Sequence, residues 1–248
     1  MNKIAIIGGT GLENFNLLKE AEKITMETPF GTPSSELQSG IYNGIGIVHL
    51  ARHGKDHTIP SSRVNYRANM YALKKLGCTH ILSTSACGSL REEICPGEFV
   101  VFDQFIDFSK LRISTFYEED QPGEFRYTPM AAPFSDDLRD NLIEAAITLG
   151  LTVHTKGTVI TIDGPRFSTR AESNLYKAWG ADIVNMTTAP ETILANELGI
   201  PIAVAALCTD YDSWRTDTVP PTTADIREII ESNSVKFLEL IKIALTKI

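Results

Sequence analysis

Any fold for this chain must accommodate a series of short apolar runs, at residues 3–8, 46–51, 80–85, 99–102, 159–162, 182–186 and 202–207. Each is too short for a core helix, is rich in β-branched or small apolar residues, and lacks the polar alternation of a half-solvated strand; each reads as a buried strand. Between and after them lie helical patterns. Residues 61–76 carry Val64, Ala68 and Ala72 at helical spacing and stop at Gly77, and residues 136–149 carry Leu138, Leu142 and Ala145 and stop at Gly150. Segments 170–179, 190–198 and 224–248 complete the set. Strands alternating with helices predict an α/β fold, one domain over residues 1–248 with a central mixed, mostly parallel β-sheet flanked by helices. Chemistry in such folds gathers at the carboxyl ends of the strands. The polar stretch 117–125 is expected to be a long exposed loop, a mobile edge or partner contact.

The formal net charge is −8, and no run of Lys and Arg stands out, which excludes a general nucleic-acid or membrane-surface partner. An anionic substrate must then be captured by a few local donors. The opening MNKIAIIGG enters a strand-like segment without a basic lead, and no apolar run approaches a bilayer span, so a cytoplasmic location is expected. Cys78, Cys87, Cys95 and Cys208 show no CxxC pairing and are expected as buried free thiols.

Three strand ends offer anion donors. The first closes in Gly8-Gly9-Thr10-Gly11, whose backbone N–H groups and Thr10 hydroxyl can approach a phosphate, or which can be a tight turn without a ligand. A dinucleotide fingerprint starting at Gly9 would need glycine at position 14, which is Asn14. The second delivers Arg52-His53-Gly54, where the guanidinium suits bidentate capture of phosphate and His53 can donate to it. His53 and His57 have no third ligand of fitting spacing, so no metal is expected. The third ends in Ser83-Thr84-Ser85-Ala86-Cys87-Gly88.

Asp210-Tyr211-Asp212 follows the last apolar strand. Such acids are commonly helix caps, but two carboxyl groups at the mouth of a buried strand can also divide labour at a purine. One, kept protonated by burial, can protonate N7 of a leaving base while the other accepts from an exocyclic amine. Asn185-Met186-Thr187-Thr188-Ala189-Pro190-Glu191 joins a strand to a helix, with Thr188 a candidate N-cap and Pro190 and Glu191 in the first turn. Met186 can present its thioether to a sugar or fill the core. The chemistry that fits both halves is attack of inorganic phosphate on the anomeric carbon of a nucleoside. Phosphate is already anionic, so no second carboxylate is needed to activate it, unlike in a hydrolytic glycosidase.

The segments GGTGL, LARHG with the following HT, SACGSLRE, GPRFSTRAES, WGAD, NMTTAPE and TDYDSW, collinear from Ile4 to Trp214, resemble the methylthioadenosine phosphorylases of the purine nucleoside phosphorylase superfamily. The resemblance implies phosphate binding by Thr10, Arg52, His53, Ser85, the Ala86 backbone and Thr187. It implies a ribose contact at Met186, purine contacts at Phe167, Ser168 and Tyr211, and action of Asp210 on N7 with Asp212 reading the adenine amine. It also implies a homotrimer with no metal or organic cofactor, phosphate being a co-substrate. The sequence departs from the family pattern with Ser85 in place of Thr and Asp163 in place of Glu. Tyr127 stands where a His from a neighbouring subunit lines the 5′-methylthio pocket, and Thr223 and Ile226 stand on that pocket's other wall. A hydroxyl there would admit a 5′-hydroxyl, making adenosine a second substrate, whereas the aspartate pair disfavours 6-oxopurines.

Overall fold

The computed structural model describes residues 2–13, 17–18, 21–117, 126–217 and 222–248. Its strands are β1 Lys3–Gly8, β2 Glu22–Ile24, β3 Leu37–Tyr42, β4 Ile45–Ala51, β5 His80–Ser89, β6 Phe99–Val101, β7 Gln104–Asp107, β8 Val153–His154, β9 Thr158–Thr161, β10 Ile183–Asn185 and β11 Ile202–Tyr211. Its helices are α1 Tyr66–Lys75, α2 Asp136–Thr148, α3 Arg170–Ala178, α4 Thr188–Glu197 and α5 Thr223–Leu245. One mixed, mostly parallel sheet runs β2-β3-β4-β1-β5-β10-β9-β7, with β11 also paired to β5 and carrying β6 and then β8. The predicted α/β architecture is therefore present. The strands that local pattern did not reveal are the short or glycine-broken ones, β2, β3, β7 and β8, which depend on neighbours for their pairing.

Side-chain alternation along the central strands feeds two cores. Ala5, Ile7, Val48, Leu50, Ile81, Ile202, Val204 and Ala206 pack on one face with Met70 and Leu73 of α1 and Leu194 of α4. Ile4, Ile6, Ile47, Leu82, Ala203, Ala205 and Leu207 pack on the other with Leu138 and Leu142 of α2 and Phe237, Leu240 and Ile241 of α5. Both faces are covered, which is why these strands read as continuous apolar runs. A third cluster, with Ile160, Ile162 and Val184 around Tyr176, seats α3.

The helix predicted over 61–76 is split. A 3-10 turn, Ser61–Arg63, comes first, Val64 is extended, and Asn65 then starts α1 by accepting from the Ala68 N–H at 3.1 Å. Two strands run further than expected. β5 and β11 pair in parallel to their carboxyl ends, so Ser85, Ala86 and Asp210 sit within strands and not in the loops beyond them. Their register slips between Cys208 and Asp210. Strict alternation would send Asp210 to the side of Cys208, which lies in the first core; the bulge re-aims it. The stretch 118–125 lies outside the described residues. Among the described residues all four cysteines are free, with Cys95 only partly buried, and no helix is long and apolar enough to cross a membrane.

Candidate active site

The carboxyl ends of β1, β4, β5, β10 and β11 open into one cavity of about 700 Å³. Of the residues singled out from sequence, Thr10, Arg52, His53, Ser85, Ala86, Phe167, Ser168, Met186, Thr187, Asp210, Asp212 and Ile226 line it. Tyr211 does not: strand alternation turns it outward, where its hydroxyl donates to the Glu92 carbonyl at 3.3 Å and Arg215 lies 4.2 Å above its ring. Tyr127 is 95% exposed and outside the cavity of its own chain. The side chain of Thr223 lies outside the described residues.

At the end of the cavity expected to take an anion, Arg52 is fully buried and differs from expectation in what it binds. Its Nε and Nη2 donate to the two carboxylate oxygens of Glu191 at 2.5 and 2.9 Å. Nη2 also donates to Ser83 Oγ at 2.7 Å and Nη1 to the Thr84 carbonyl at 2.9 Å. The two-point fork expected to clasp phosphate is thus spent on Glu191. Four of the five guanidinium N–H groups are engaged, and one on Nη1 remains. Burial alone would weaken the cation; Glu191 outweighs it and raises the Arg52 pKa. A Cβ on Gly9 would come within 2.6 Å of Arg52 Nη1, so glycine here lets the turn lie against the guanidinium.

His53 also departs from expectation. Its Nδ1 lies 2.8 Å from the Ile59 carbonyl, which only accepts, so that nitrogen carries the ring proton. Burial, and then the neighbouring Arg52 charge, push the ring down to about 4. At neutral pH Nε2 is therefore an acceptor, suited to a phosphate oxygen that bears a proton; it donates only when the ring is doubly protonated. Among the described residues no group of three His, Cys, Asp or Glu side chains is arranged to hold a metal.

Thr187, not Thr188, is the N-cap of α4, and its side chain makes no cap bond. The cap is supplied from β9, where Thr161 Oγ1 accepts from the Ala189 N–H at 3.1 Å. Thr188 is instead buried in a network on Asn185, whose Nδ2 donates to Thr188 Oγ1 at 2.5 Å and Ser85 Oγ at 3.0 Å while its Oδ1 accepts from Thr161 at 3.0 Å. The Thr187 hydroxyl is left to the cavity, beside the positive end of α4. Sequence reading missed the supporting roles of Glu191 and Asn185. The available signal for Glu191 was an acid in the first turn of a helix made mostly of small and apolar residues; an acid buried there calls for a cationic partner.

At the other end, Asp210 is held up at about 6, mainly by burial and further by Asp212, with the Thr209 hydroxyl at 2.7 Å from Oδ1 pulling it partly back. Gly88 faces it; a Cβ there would stand 3.2 Å from Oδ2. Burial also raises Asp212, with the nearby Ser173 and Ser168 hydroxyls and the Ser213 N–H opposing. Asp212 Oδ2 and Ser168 Oγ, both on residues of the cavity lining, are buried without a partner at hydrogen-bond geometry, a cost that calls for a role or a bound group. A carboxyl that holds its proton to about pH 6 can donate it to a ring nitrogen. Met186 lies under Ser61, whose hydroxyl reaches its sulfur at 3.5 Å. Arg112 fixes this segment by donating to the Met186 carbonyl, to the Asp163 carbonyl at 2.5 Å and to Tyr66 Oη at 2.9 Å.

Comparison with known proteins places the chain that builds this cavity in a family. The family model described as the phosphorylase superfamily matches residues 3–246. The chain belongs to the phosphorylase superfamily. Within it, the chain is 48% identical over 242 residues to the S-methyl-5′-thioadenosine phosphorylase of Ciona intestinalis, covering 97% of this chain and 86% of the relative. It is 47% identical to that of Anopheles gambiae, covering 99% and 89%. These likenesses make it a member of the methylthioadenosine phosphorylase family. The solved methylthioadenosine phosphorylase of Schistosoma mansoni in complex with adenine superposes with a TM-score of 0.95 at 42% identity, covering 99% of this chain and 91% of that one. A variant from the same organism, described as an adenosine/methylthioadenosine phosphorylase in complex with methylthioadenosine, gives 0.92 at 43%, with the same coverage.

Proposed function

We propose that this phosphorylase cleaves S-methyl-5′-thioadenosine with inorganic phosphate, releasing adenine and 5-methylthioribose 1-phosphate. The observation that carries the reading is the pairing, in one cavity, of an anion end built from the carboxyl-terminal parts of four strands, β1, β4, β5 and β10, with a base end whose Asp210 holds its proton to about 6. In this reading Thr10, Ser85, the Ala86 N–H, Thr187 and the remaining Arg52 N–H bind phosphate, and His53 accepts from its protonated oxygen. Asp210 protonates N7 as the base departs. Asp212, with its unpartnered Oδ2, accepts from the 6-amino group, a role that an oxygen at that position cannot fill. Phe167 and Ser168 border the purine, and Met186 lies against the sugar. The rate enhancement comes from positioning the anion and from protonating the leaving group. No protein base is required, and no metal or organic cofactor enters the scheme.

Adenosine is the second substrate. The cavity wall includes Glu13, Lys55, His57, Arg227 and Glu231 besides Ile226, so a polar 5′ group does not meet a closed apolar surface. We further read the protein as a cytoplasmic homotrimer. Four free thiols suit a reducing compartment, and the exposed Tyr127, Leu111 and Trp179 suit contact with a neighbouring subunit. The test is base release from methylthioadenosine, adenosine, inosine and methylthioinosine, each with and without phosphate. The expected order is methylthioadenosine above adenosine, with the inosines poor and all release dependent on phosphate. Inosine as the preferred substrate would refute the assignment of Asp212.

A further inference from the structure

We infer that Glu191 is a positioning residue for phosphate, acting through Arg52. This rests on the phosphorolytic reading above. Arg52 and Glu191 are separated by 139 positions in sequence, and both are buried with 1% and 2% of their side chains accessible. Glu191 takes Nε and one Nη2 hydrogen, Ser83 takes the other Nη2 hydrogen while its own hydroxyl donates to Glu191 Oε2 at 2.8 Å, and the Thr84 carbonyl takes one Nη1 hydrogen. The guanidinium is thereby held at four points, and rotation that would redirect the last Nη1 hydrogen is blocked. Gly9, at the phosphate turn, packs directly on that nitrogen.

The pair has an electrostatic consequence. Glu191 cancels the charge of Arg52, the only buried cation lining the cavity among the described residues, so phosphate is held by aimed neutral donors and one guanidinium N–H, not by a net positive charge. A carboxylate kept beside an anion site opposes anion binding by Coulomb's law. Its presence is therefore useful only if the geometry it imposes on Arg52 outweighs that repulsion. The two contributions have opposite signs, so a single substitution separates them.

Glu191→Gln keeps the shape, removes the negative charge and supplies only one acceptor oxygen to the fork. If positioning dominates, the KM for phosphate rises by about tenfold or more while the KM for the nucleoside stays near its original value. If Glu191 acts only as a counter-charge, the phosphate KM falls, and the inference is overturned; an unchanged phosphate KM overturns it equally. Should Glu191→Gln not fold, Glu191→Asp retains the charge but shortens the reach, and a raised phosphate KM in that variant supports positioning where an unchanged one refutes it. The same substitution in an Arg52→Lys background, which has no fork to orient, should add little further effect on phosphate. Full additivity would mean that Glu191 does not act through Arg52. The unsubstituted protein is the control that separates the two levels of argument. If it releases base without phosphate, the functional reading fails; if it requires phosphate and the Glu191 variants leave phosphate KM untouched, only the positioning inference fails.

Discussion

Replacing Asp210 by Asn should damage catalysis while stabilising the fold, and the two effects should have different pH dependences. The carboxyl has been lifted from an ordinary value of 3.8 to about 6, chiefly because burial penalises its ionised form. An acid whose folded pKa is raised binds more protons folded than unfolded between those values. Stability contributed by the protonated form is complete below 3.8 and is lost as pH rises through about 6. The interval from 3.8 to about 6 corresponds to at most about 3 kcal/mol of penalty, present in full above it. Asn keeps the shape and can still accept from the Thr209 hydroxyl, but has no charge to bury. Asp210→Asn should therefore raise Tm at about pH 8, at about 2–4 °C per kcal/mol recovered for a chain of this size, and leave it unchanged at about pH 4. Steady-state turnover on adenine nucleosides should meanwhile fall by about 10²- to 10⁴-fold, the usual contribution of a general acid. The alkaline limb of log(kcat/KM), with its inflection at or above about 6, should flatten. Scanning calorimetry at the two pH values and initial rates of base release measure both. An equal Tm change at both pH values would refute the burial argument, and a loss of turnover smaller than about tenfold would refute the acid role.

Arg112→Ala removes the cation that ties the Met186 and Asp163 carbonyls together. It should raise the KM for nucleoside more than that for phosphate, and lower unfolding stability in urea by about 2–4 kcal/mol through the carbonyls left without donors. Gly9→Ala should raise the KM for phosphate, since the added methyl would stand 2.6 Å from both Arg52 Nη1 and the Thr84 carbonyl; a phosphate titration that matches the unsubstituted protein would show that the turn can yield without disturbing the anion site.

The layers of this fold were legible because burial on both faces of a sheet forces apolar runs that local pattern can see, and glycines after helices mark where they stop. The Gly8–Gly11 turn, Arg52, Ser85 and the Asp210–Asp212 pair were legible for a related reason: polar residues placed at the ends of buried strands stand out against what surrounds them. The tertiary structure decided how each group spends its bonding capacity. Arg52 read as a free fork because its partner lies on α4, far away in sequence. Thr188 read as a helix cap, whereas the cap comes from Thr161 on β9 and Thr188 answers to Asn185. His53 read as a donor until the Ile59 carbonyl fixed its tautomer. Asp210 owes its direction to a register slip that no spacing rule discloses, and from there ordinary strand alternation turns Tyr211, between the two acids, the other way. Local sequence records which residues must be buried and where strands end. Hydrogen-bond partners drawn from distant elements, and the desolvation they share, exist only once the chain has closed on itself.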